Sequence, residues 1–135
     1  MKLVLDTNVL VSGILFTGPP HQILLAWSEG RFELVFTSDI HEEYRHITAE
    51  LQRQFPGVDL AVALDLVLVN AQAFPSAVLE AEVCADADDD KFLACALASG
   101  ASIIVSGDRH LLDVCGYCGI EILRPRAFLD RYLAR

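Results

Sequence analysis

The chain has 135 residues, 53% of them hydrophobic, which is enough apolar material for one core and too little length for two full domains. Nineteen acids against ten bases leave a net charge of −9, the wrong sign for a protein that grips nucleic acid through a basic surface. The apolar stretches Leu60–Val69 and Phe92–Ala98 fall short of the roughly 20 residues a membrane span needs. Asp6 and Asn8 also interrupt the N-terminus before a secretory core can form, so the expected location is cytoplasmic, with no membrane partner.

Taken in chain order, Lys2–Leu5 reads as a short buried strand ending in the polar, turn-prone Asp6-Thr7-Asn8. Pro19 and Pro20 open a helix that Gly30 closes, and Glu33–Phe36 is a second strand. Ser38 is placed to cap a helix whose apolar residues Ile40, Tyr44, Ile47 and Leu51 recur at three-and-four spacing, with Pro56-Gly57 as its stop. Val58–Ala73, apolar around most of its circumference, is expected to be either a well-buried helix or a partner surface. The acidic run Asp86, Asp88, Asp89, Asp90 leads into a helix closed by Gly100, where negative charge suits the N-terminus. Ser102–Val105 is a third strand and Glu121–Leu123 a fourth, and Pro125 starts a final helix carrying Phe128, Leu129, Tyr132 and Leu133.

Alternating strands and helices imply an α/β domain over residues 1–135 with a mainly parallel sheet. In such sheets the functional crevice lies outside the carboxyl ends of the strands, where Asp6 and Asp108 both stand. Cys84, Cys95, Cys115 and Cys118 read as reduced thiols, buried or half-buried, because the lone C-x-x-C lacks the second pair a zinc site needs. His21, His41, His46 and His110 show no metal-ligand spacing and are expected at turns or on the surface. Arg124, Arg126, Arg131 and Arg135 make the tail basic enough to face phosphates.

The acids carry the chemical argument. Glu43 follows Ile40 by three residues and precedes Ile47 by four, so it shares their inward face, whereas Glu42 belongs to the outer one. Asp6, Glu43, Asp89 and Asp108 can therefore share one edge of the sheet. Converging carboxylates repel, and some must take up protons unless a cation joins them. An all-oxygen donor set suits Mg²⁺ or Mn²⁺ better than zinc, and such ions orient and polarise phosphates, so the chemistry expected is phosphodiester hydrolysis. An aspartyl-phosphate phosphatase of the haloacid-dehalogenase type also begins with an Asp after its first strand. It needs a second Asp where this chain has Asn8, and its lysine could only be Lys91.

The stretches Leu3-Val4-Leu5-Asp6-Thr7-Asn8, Ser38–Ile47 around Glu43, Asp86–Ala96, and Ile104-Val105-Ser106-Gly107-Asp108 together resemble PIN-domain proteins, and among them the toxin components of bacterial type II toxin–antitoxin systems. That resemblance covers essentially the whole chain. It implies a three-layer α/β/α fold and a Mg²⁺- or Mn²⁺-dependent endoribonuclease with RNA as substrate, an antitoxin protein as partner and a homodimer as its state. It places the family's acids on Asp6, Glu43, Asp89 and Asp108 as catalytic and metal-binding residues, with Asn8, Ser106, Asp86 and Asp90 supporting them. Asp90 stays open as the third acid. Ser38 to Glu43 is one residue shorter than the family pattern, which also keeps Glu42 open as the second. The alternative function is a catalytically silent PIN-fold module that binds a partner or RNA.

Overall fold

The computed structural model describes residues 1–133. Its elements in chain order are β1 (Lys2–Leu5), α1 (Thr7–Leu15), α2 (Pro19–Ser28), β2 (Glu33–Thr37), α3 (Ser38–Leu51), α4 (Leu60–Val69), β3 (Gln72–Phe74), α5 (Asp90–Ser99), β4 (Ile103–Val105), α6 (Arg109–Leu112), β5 (Glu121–Leu123) and α7 (Pro125–Phe128). Leu129–Leu133 continues α7 as a π-helical segment.

The five strands form one all-parallel sheet in the order β3-β2-β1-β4-β5. Successive strand residues point to opposite faces, so the burial of Leu3, Val4 and Leu5 in a row, and of Ile103, Ile104 and Val105, means that helices cover both faces. The result is a three-layer α/β/α architecture around one continuous apolar cluster. The chain builds outward from β1 to β3, then crosses back to add β4 on the other side. The order reverses between β1 and β4, the kind of switch point outside which parallel sheets place their functional crevice.

Four features differ from expectation. The residues after Asp6 form α1 rather than a plain turn: Asp6 sits in extended backbone and its carbonyl accepts from Val9 and Leu10 N–H at 3.0 and 3.1 Å, which starts the helix. Gly13 lets α1 approach α2, since a Cβ there would lie 2.9 Å from the Pro20 carbonyl oxygen. The helix expected over Val58–Ala73 is the shorter α4, with Asp59 capping Val62 N–H, and the chain beyond it pairs with β2 as the edge strand β3. Only Leu60 and Leu64 of α4 are buried, while Val62, Leu66 and Val69 are exposed. Ser38 is the first helical residue of α3 rather than its cap, and its hydroxyl meets that of Ser76 at 2.6 Å.

Gly100 ends α5 in the left-handed region as expected (φ 77°), a conformation that costs glycine little. All four cysteines are free. Cys84 and Cys95 are buried, but Cys115 and Cys118 lie exposed in the turn before β5. Among the described residues no single helix is long and apolar enough to cross a membrane.

Candidate metal centre

The parallel ladder places Asp6 and Ser106 side by side. Beyond the last β1 residue, Asp6 N–H still donates to Val105 carbonyl at 3.0 Å, and Ser106 N–H donates to Leu123 carbonyl at 2.9 Å. Both side chains are buried, with Asp6 6% exposed and Ser106 0%. The Ser106 hydroxyl donates to Asp6 Oδ2 at 2.6 Å and accepts from Asp108 N–H at 2.9 Å, so one serine fixes the first acid and the backbone of the last. Asp6 makes no capping bond with its side chain, although it stands at the start of a helix. Its carboxylate is held by the Ser106 hydroxyl instead.

Glu43 reaches the same place from α3. Its Oε2 accepts from the hydroxyl of Thr7, the neighbour of Asp6, and its Oε1 accepts from Lys91 Nζ at 3.0 Å. Lys91 Nζ also lies 3.1 Å from Asp88 Oδ1. Glu42 points elsewhere: it is exposed and lines an open groove of about 610 Å³ with Asp39, Glu80, Glu82, Asp88 and Lys91.

Asp89 and Asp90 are adjacent but differently engaged. Asp90 accepts from Val83 N–H at 3.0 Å and Cys84 N–H at 2.8 Å, which ties the preceding loop to the start of α5. Asp89 carries no such bond, and its carboxylate lies 3.5 Å from His110 Nδ1. Asp108 accepts from His110 N–H at 2.8 Å, so one of its oxygens caps α6. Asp86 likewise accepts from Asp88 N–H at 3.0 Å. Asn8, expected to support the site, is exposed on the first turn of α1.

The electrostatics follow this placement. Burial raises the Asp6 carboxyl above its ordinary value against the hydrogen bonds from Ser106 and the Thr7 backbone, with Asp108 and Glu43 adding repulsion. Burial, then Asp108, Asp86 and Asp6, pushes Asp89 up to about 6, against a smaller pull from His110. Asp90 behaves oppositely: burial would raise it, but the N–H groups of Cys84 and Val83 hold it below the ordinary value. Burial works to lower Lys91, yet its bonds to Glu43 and Asp88 win and keep the ammonium charged.

The structure thus gathers Asp6, Glu43, Asp89 and Asp108 around the carboxyl ends of β1 and β4. It gives Asp90 a loop-anchoring role and leaves Glu42 on the groove. The sequence offered no spacing that marked His110, but in the fold its ring stands with Asp86 and Asp89, one ligand atom from each lying within 4.8 Å of the others. His110 follows Asp108 by two residues, in the first turn of the helix that Asp108 caps. Thr7 and Lys91 were also not foreseen as neighbours of Glu43, because both contacts are made between distant elements. Oxygen donors predominate, and two of the acids are held unfavourably without a counter-charge. That donor set fits a hard divalent cation.

Comparison with known proteins agrees with this fold. No curated protein matches the sequence significantly. Among solved structures, one chain in the crystal structure of VapBC2 from Rickettsia felis bound to a DNA fragment from their promoter is similar at a TM-score of 0.64 and 15% identity, covering 92% of this chain and 98% of that one. The crystal structure of PAE2754 from Pyrobaculum aerophilum is similar at 0.63 and 20% identity, covering 99% of this chain and 90% of that one. The family profile described as PIN domain matches residues 2–110, spanning β1 through Asp108 and His110. The chain belongs to the PIN domain family.

Proposed function

We propose that this protein is a nuclease, specifically a Mg²⁺- or Mn²⁺-dependent endoribonuclease that hydrolyses RNA phosphodiester bonds, with Asp6, Glu43, Asp89 and Asp108 holding the metal. The observation that carries the reading is the pair of buried or half-buried acids, Asp6 and Asp89, held with raised pKa values at a topological switch point. A purely structural carboxylate is normally placed where hydrogen bonds lower its pKa, as they do for Asp90. A bound dication supplies positive charge against phosphate oxygens and acidifies water at the site.

The protein's own groups do the positioning. Ser106 holds Oδ2 of Asp6, Thr7 holds Oε2 of Glu43, and the α6 cap fixes Asp108. Such preorganisation keeps the acids aimed before substrate arrives. Arg109, Arg124 and Arg126 are exposed beside the carboxyl ends of β4 and β5, and form no ion pair among the described residues, so they are the cations best placed to track an RNA backbone. Arg131 is paired with Glu121 at the far end of β5, and Arg135 lies outside the described residues.

The resemblance to toxin components and the likeness to a chain of VapBC2 support a role as the cytoplasmic toxin of a toxin–antitoxin pair. The exposed Val62, Leu66 and Val69 of α4 are the surface we assign to homodimer formation. Incubating the purified protein with a mixed RNA pool in Mg²⁺, Mn²⁺ or chelator tests the activity. Cleavage in metal, absent in chelator and in Asp6→Asn, is the expected result. Uncut RNA under all conditions would leave a silent binding module as the better reading.

A further inference from the structure

Among the acids of the proposed metal centre, Glu43 is the one whose two oxygens are both taken: Thr7 holds Oε2 and Lys91 holds Oε1 at 3.0 Å. Asp6, by contrast, is held by the Ser106 hydroxyl at Oδ2 and by the Thr7 backbone, with no cation against it. A dication ligated by Glu43 can share an oxygen with the neutral Thr7 hydroxyl, because each carboxylate oxygen has two lone pairs, but it repels the ammonium held at Oε1. Thr7 is buried at 3% exposure, adjoins Asp6 in the chain and is locked in the first turn of α1. Lys91 is different. Its ammonium ends a four-carbon stem, is already shared with Asp88 at 3.1 Å, and lines the open groove into which it can swing.

We propose that Lys91 is a built-in counter-cation of this site: it occupies Glu43 while no metal is bound and yields Glu43 when a divalent cation enters. The inference rests on the metal-site reading above and deepens it by naming what the metal must displace. An ammonium and a dication cannot both sit against one carboxylate oxygen at close range without like-charge repulsion. In the metal-free protein the Lys91 bridge offsets part of the acid–acid repulsion and ties α3 to α5. In the loaded protein it is a cation set free at the rim of the groove. Metal affinity is therefore tuned by a residue that contributes no ligand.

The composition makes the test direct, because Lys2 and Lys91 are the only lysines in the sequence. Lysine labelled with ¹⁵N at Nζ gives two signals in the intact wild-type protein. Lys2 serves as the internal control, since its Nζ donates to the Ser99 carbonyl at 3.0 Å and lies over Phe74, near the start of β1 rather than its carboxyl end. In chelator the paired Lys91 ammonium should exchange slowly with water and give a visible signal. Mg²⁺ should abolish that protection at Lys91 and leave Lys2 unchanged. Calorimetric titration with Mg²⁺ should find that Lys91→Met binds the ion roughly three- to tenfold tighter than wild type, the range expected from deleting a partly buried ion pair and a like charge.

Protection of Lys91 that persists while calorimetry records Mg²⁺ binding would overturn the proposal and leave the metal site standing. So would equal or weaker Mg²⁺ affinity in Lys91→Met. Absence of Mg²⁺ binding in both proteins, with neither lysine signal responding, would overturn the metal reading and this inference with it.

Discussion

Neutralising Asp89 should stabilise the metal-free protein, and only above the carboxylate range. Burial and the charges of Asp108, Asp86 and Asp6 push its pKa from 3.8 to about 6. At 1.36 kcal/mol per unit this is about 3 kcal/mol against the ionised form. The side chain is 14% exposed and stands beside the exposed Asp86, so water screens the repulsion and reduces the penalty to the order of 1–2 kcal/mol. Asp89→Asn also forfeits a charge at the N-terminus of α5, worth some 0.3–1 kcal/mol, which leaves a net gain of about 1 kcal/mol. The sign follows from proton binding. The native state keeps this proton up to about pH 6, whereas the unfolded chain releases it near 3.8, so native stability falls as pH rises through that window. In thermal melts with chelator at pH 7.5, Asp89→Asn should therefore melt roughly 3–5 °C above wild type, and the gain should disappear by about pH 4. Mg²⁺ at a hundredfold excess over its dissociation constant should stabilise wild type by about 2.7 kcal/mol and the variant by less. No gain at pH 7.5, or the same gain at pH 4, would refute the claim that Asp89 is held against its neighbours' charge.

Other outcomes follow from the same geometry. Glu43→Gln should abolish metal-dependent RNA cleavage, while Glu42→Gln, on the groove, should leave it within severalfold of wild type; the reverse pattern in an RNA cleavage assay would place the second acid on Glu42. Asp90→Ala should cost about 1–3 kcal/mol in urea denaturation by orphaning the Val83 and Cys84 N–H groups, and wild type should lose this contribution as pH falls through the depressed pKa of Asp90. Arg124→Ala and Arg126→Ala should each weaken RNA binding and flatten its salt dependence, by about 0.7 in the log–log slope for single strands, without moving the metal affinity.

The parts of this fold legible in the sequence were those written in local patterns. Lys2–Leu5 and Ser102–Val105 are mostly apolar runs followed by an acid, directly at Asp6 and three residues on at Asp108, and in a parallel sheet that order puts both on one edge. The inward face of Glu43 follows from its spacing to Ile40 and Ile47. The edge strand β3 was not legible, because Gln72-Ala73-Phe74 is short, contains no β-branched residue and is defined by its pairing with β2. The helix α1 was hidden because Asp6-Thr7-Asn8 reads equally as a turn and as a helix start. The choice between Asp89 and Asp90 could not be made from adjacency, and rests on which carboxylate the Val83–Cys84 backbone claims. His110, Thr7 and Lys91 enter the centre through contacts between residues far apart in the chain or across a turn, which one-dimensional spacing does not encode.

The central claim, that these acids form one cation site at the switch point between β1 and β4, is tested most directly by diffraction from crystals grown in Mn²⁺, with data collected at the manganese edge. The account predicts an anomalous peak about 2.1–2.3 Å from carboxylate oxygens of Asp6 and Asp108, the range for a hard dication, with Glu43 drawn toward it. A peak confined to Asp86, Asp89 and His110 would contradict it, as would carboxylates that keep their metal-free hydrogen bonds with no manganese among them.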